Sequence, residues 1–98
     1  MLEKVTRSVF SEALNTTFRV KIDGERPIDL SLIEASDLKQ PGDLGRKDPF
    51  SLIFRGPADL VLPQQTYHME NDKVGKMEIF IVPVGTDDKG TLYQAVFS

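Results

Sequence analysis

Few side chains in this 98-residue chain could carry chemistry. There is no cysteine, which excludes a thiol nucleophile, a thiolate zinc site and a disulfide framework. His68 is the single histidine, flanked by Tyr67 and Met69, and no carboxylate pair stands near it at metal-ligand spacing. Strand alternation places it on the solvent side. The serines lack a Gly-x-Ser-x-Gly elbow, and the glycines form neither a Gly-x-x-x-x-Gly-Lys-Ser/Thr loop nor a Gly-x-Gly-x-x-Gly turn. Carboxylates are plentiful, yet nothing in the sequence pairs two of them for acid–base work. The most distinctive local string is Arg55-Gly56-Pro57-Ala58-Asp59. Arg55 and Asp59 could form a surface ion pair across the Gly-Pro turn, worth about 0–1 kcal/mol. Alternatively, Arg55 could be displayed for a partner's carboxylate. No catalytic, cofactor-binding or metal-ligating residue is assigned, and the expectation is a protein that is not an enzyme and uses no cofactor.

Composition narrows the class further. Hydrophobic residues make up 40% and charged residues 28%, ordinary values for a globular chain. The length suits one domain spanning residues 1–98. The net charge is −3, and the 12 basic residues are scattered rather than clustered, which disfavours nucleic-acid binding. The N-terminus lacks a signal-like apolar run, and the longest apolar stretch, Ile79 to Val84, is broken by Pro83 and too short to span a bilayer. These features lead to the expectation of no membrane insertion and a cytoplasmic location, or assembly from the cytoplasm into a larger structure. Asp87 and Asp88 read as solvated turn residues.

The elements that would position these side chains follow from periodicity. Val9, Phe10, Ala13 and Leu14 fall at helical spacing, so a short helix is expected over Thr6–Leu14, with Thr6 or Ser8 as cap and Asn15 at its exit. After Asn15 the period becomes two. Phe18, Val20 and Ile22 form one strand, and Ile28, Leu30 and Leu32 form a second across an Asp23-Gly24 turn, with Pro27 opening it. Lys39 to Asp48 reads as an exposed loop. Pro49–Gly56 is a third strand, Leu60 to Pro63 a connector lying on the core, and Thr66–Glu70 a fourth strand. Met77–Val84 is the fifth, Gly85 to Gly90 a turn, and Tyr93, Ala95 and Phe97 mark a sixth. Six short strands joined by Gly/Pro/Asp turns predict a mainly β fold. The expected form is a small antiparallel barrel or sandwich with a short N-terminal helix, closure being favoured because it removes exposed edges. The expected core is Phe18, Val20, Leu30, Leu32, Phe50, Leu52, Phe54, Ile79, Ile81 and Phe97.

Three apolar residues fit that core poorly. Ile53, Phe80 and Val82 fall on the faces opposite the inward set. Either the N-terminal helix covers Phe80 and Val82, or they form an exposed patch that marks an interface. Pro83 cannot donate to a β-ladder, so it should lie at an edge or a bulge. The candidate interaction residues are therefore Ile53, Arg55, Phe80 and Val82, and the expected partner is another protein or a second copy. The alternative is a small-ligand-binding barrel with Gln64, Gln65, Tyr67 and Arg55 around a pocket at one end.

Several strings together resemble a family. They are Phe50-Ser51-Leu52-Ile53-Phe54-Arg55-Gly56-Pro57, Leu62-Pro63-Gln64-Gln65-Thr66-Tyr67, Ile79-Phe80-Ile81-Val82-Pro83-Val84-Gly85 and Tyr93-Gln94-Ala95-Val96-Phe97, with the opening Phe10 through Phe18-Arg19-Val20. The chain resembles a bacterial family of roughly hundred-residue domains of unknown function, over nearly its whole length. The resemblance carries no activity and no catalytic residues. It implies a genomic setting beside phage-tail-collar-type fibre proteins, and hence a structural or assembly role: a non-enzymatic interaction module, a subunit of a tail-fibre-like or other multiprotein structure. With no thiolate and one imidazole, the purified protein is expected to hold no transition metal through chelator washing. A stoichiometric metal whose removal unfolds the domain would contradict this.

Overall fold

The computed structural model describes residues 7–22, 24, 26–37 and 49–97. Among these residues are one helix, α1 (Arg7–Ser11), and six strands: β1 (Thr17–Lys21), β2 (Ile28–Asp37), β3 (Phe50–Gly56), β4 (Gln65–Asn71), β5 (Gly75–Asp87) and β6 (Gly90–Phe97). All pairings are antiparallel, and the sheet closes on itself in the order β1-β2-β3-β6-β5-β4 and back to β1. The β1–β2 hairpin has the expected partners, with Phe18 opposite Leu30 and Val20 opposite Ile28. Nine of the ten expected core residues are buried, and Phe97 is half-buried against them.

Differences from the expected elements have local causes. β2 runs five residues beyond Leu32, because the register shifts between Leu32 and Glu34 and the period-two pattern breaks there while the strand continues. β5 is also longer than expected. Its first part, Gly75–Ile81, pairs with β4, and its second, Val82–Asp87, pairs with β6, so one strand serves two neighbours in succession. The register shifts again between Pro83 and Gly85, the bulge expected for a proline that cannot donate. Gly85 there has φ 151°, a conformation that L side chains rarely adopt. The expected turn at Gly85 to Gly90 therefore shrinks to Asp88 and Lys89, and β6 begins at Gly90. A side chain at Gly90 would run into the carbonyl of Gly56, so the close approach of β3 and β6 requires glycine at that position. The expected loop Lys39 to Asp48, Thr6 and Asp23 lie outside the described residues.

Each end of the ring is filled. At one end, α1 is shorter than expected, and a turn over residues 12–15 follows it. Asn15 ends this turn in the left-handed conformation, φ 66°, and donates its amide to Leu32 O at 2.7 Å. Phe10 is buried and packs against Phe18, Phe50 and Phe97, with ring centroids 6.3, 5.8 and 5.5 Å away. At the other end, the connector between β3 and β4 is held by three hydroxyls. Tyr93 Oη accepts from Leu62 N at 2.9 Å. Thr91 Oγ1 donates to Leu60 O at 3.1 Å, and Tyr67 Oη donates to Pro63 O at 2.7 Å. Leu62 is buried as a result.

The ring closes through the β1–β4 seam, the shortest of the six pairings, with Arg19 opposite Glu70, Val20 opposite Met69 and Lys21 opposite His68. Asn71, 3% exposed, stands at its end. Its Nδ2 donates to Thr16 Oγ1 and Thr17 O, both at 2.9 Å, and its Oδ1 accepts from Lys73 N at 2.8 Å and Val74 N at 3.0 Å. Both amide hydrogens and both carbonyl lone pairs are thereby used. One side chain shapes the β4–β5 turn and ties it to the start of β1. Replacing Asn71 by Ala would leave the buried Val74 amide unsatisfied, at roughly 1–3 kcal/mol, and remove three further part-buried hydrogen bonds worth about 1 kcal/mol each. Asn71→Ala is therefore expected to lower stability by several kcal/mol in denaturant titration, and a loss under about 1 kcal/mol would show that the seam does not depend on it.

Candidate functional site

The four candidate interaction residues divide into one engaged charge and three apolar side chains. Arg55 does not pair with Asp59. It reaches across the sheet to Asp87, whose Oδ2 accepts from Nη2 at 2.6 Å and from Nε at 3.1 Å. The expected Arg55–Asp59 pair is thus replaced, because the Gly56–Gly90 contact brings the start of β6, with Asp87 of β5 opposite Gly90, up to the end of β3, while Asp59 lies on the connector. Arg55 is bound within the chain, its side chain 27% exposed. Asp87 is likewise more than a solvated turn residue. Its Oδ1 accepts from Lys89 N at 2.9 Å and Gly90 N at 3.0 Å, closing the β5–β6 turn. The Arg55 hydrogen bond, then the Lys89 amide, holds the Asp87 carboxyl at about 2, well below the usual carboxylate range.

The apolar members lie on the outside of the β3-β6-β5 part of the sheet. Register pairs Ile53 with Gln94 and Gln94 with Val82, so these three form one row across the strands. Phe80 stands two residues before Val82 on β5, and Val96 two residues after Gln94 on β6. Alternation puts both on the same outward face as that row. Phe80 is 49% exposed, Val96 58% and Val84 51%, while Ile53 and Val82 are half-buried. The helix does not cover Phe80 and Val82, as one expectation had it. Its Phe10 is committed to Phe18, Phe50 and Phe97 at the end of the ring. Val84 and Val96 are not among the candidate residues, although alternation from Phe80 and Val82, and from Tyr93 and Ala95, puts each on the outward side.

The polar groups around His68 pair with one another. His68 lies on the solvent side as expected, its side chain 73% exposed, with Nδ1 3.3 Å from Glu78 Oε2. It borders a cleft of about 350 Å³ floored by Met69 and Met77. The cleft's charges offset one another: Glu70 takes Lys21 at 3.5 Å and Lys76 at 3.7 Å. Such exposed pairs are each worth about 0–1 kcal/mol. Among the described residues, no group of three or more His, Cys, Asp or Glu side chains could hold a metal ion. The residues of the ligand-pocket alternative do not converge. Gln64 and Gln65 are exposed, Tyr67 is buried with its hydroxyl on Pro63 O, and Arg55 is on the outer face with Asp87. Burial pushes the Tyr67 hydroxyl above its ordinary value, in keeping with its role as a protonated donor. Among the described residues, no helix is long and apolar enough to cross a membrane.

The Asp87 interaction has a definite pH signature. Its carboxyl is held below the unfolded-state value near 4, so its stabilising effect is complete above that value and fades as pH falls toward 2. Asp87→Asn is therefore expected to melt at a lower temperature than the parent at pH 7, with the difference closing between about pH 4 and pH 2. A difference that stays constant across this range would show that the carboxylate charge is not what holds the turn.

A family model described as Domain of unknown function (DUF6916) matches residues 5–97. No curated protein and no solved structure matches the chain. With the family model spanning α1 and all six strands, the chain belongs to the DUF6916 family of domains of unknown function.

Proposed function

We propose that this domain is a non-enzymatic interaction or assembly module that makes its contacts through the outward face of β3, β6 and β5. One observation carries the reading: Phe80, Val84 and Val96 are each about half exposed, beside Ile53 and Val82, on a sheet whose inner face is already a packed core. Half-exposed aromatic and branched side chains grouped on one face are a feature of contact surfaces more than of isolated domains. The titratable groups outside this face support the same reading, because those with resolved partners are used in turns and surface pairs. The bacterial setting beside tail-fibre-like proteins, implied by the sequence resemblance, fits a subunit of a multiprotein structure.

Phe80→Glu separates contact from folding, because the side chain is at the surface and its replacement leaves the core intact. The variant is expected to melt within about 2 °C of the parent, as surface substitutions do. It should lose association, read by light scattering for self-assembly and by affinity capture from the native host for a partner. A folded variant with unchanged scattering and an unchanged set of captured proteins would overturn the reading.

A further inference from the structure

We draw no further inference here: the strongest candidate, the outward apolar face of β5 and β6 around Phe80, Val82, Val84 and Val96, is the surface already proposed for contact, and nothing in the structure shows what covers it.

Discussion

The fold depends on closing β1 against β4. These strands lie about fifty residues apart in sequence, and their seam has fewer register pairs than any other in the sheet. A short non-local pairing has little ladder hydrogen bonding to offset the entropy of bringing its ends together. Side chains reinforce it. Outside, Arg19 and Lys21 approach Glu70, and Arg19 Nη2 reaches Asp72 Oδ1 at 3.2 Å. Inside, Val20 and Met69 are buried in the common core. At the end, the Asn71 amide joins the β4–β5 turn to Thr16 and Thr17, and Thr16 Oγ1 continues the chain of bonds to Ala13 O at 2.6 Å. The turn after α1, the start of β1 and the β4–β5 hairpin are thus held at one point. Without that junction β1 and β4 would be open edges.

Closure determines where function can reside. The interior is occupied by Phe, Leu, Ile and Tyr side chains, one end is plugged by Phe10, and the connector is fastened over the other by Tyr93, Thr91 and Tyr67. The proposed contact surface accordingly lies on the outside of the ring. There, the sector over β1, β4 and β5 is polar and self-compensating, whereas the sector over β3, β6 and β5 carries the exposed Phe80, Val84 and Val96. β5 belongs to both sectors, and its change of neighbour at Ile81–Val82 falls between Phe80 and the Pro83 bulge.

Much of this was legible in the sequence, for a physical reason. A half-buried strand must alternate, so Phe18/Val20, Leu30/Leu32 and Phe50/Leu52/Phe54 revealed both the strands and the core. Pro83 announced its bulge because a residue without an N–H cannot sit in a regular ladder. The second half of β2 was hidden, since the irregularity at Leu32–Glu34 interrupts the alternation that betrays a strand. Asp87, expected as a solvated turn residue, ends β5 beside its turn, and Asn71 ends β4 beside the next hairpin turn. Their second roles, binding Arg55 and the start of β1, involve partners 32 and 54–55 residues away that no local pattern discloses. The outward position of Phe80 was legible, but whether α1 covers it depends on helix docking and not on spacing.

Amide hydrogen exchange across the seam tests the central claim, that closure is integral to the fold and leaves the outer face as the contact surface. If β1 and β4 separate only when the whole domain unfolds, the protected amides of Arg19–Lys21 and His68–Glu70 should exchange with the same free energy as the most protected core strands, matching global stability from denaturant titration. Exchange there several kcal/mol easier than in β3 and β6 would contradict the account. It would mean that the ring opens at β1–β4 in the native state and offers strand edges, rather than the outward apolar face, to other chains.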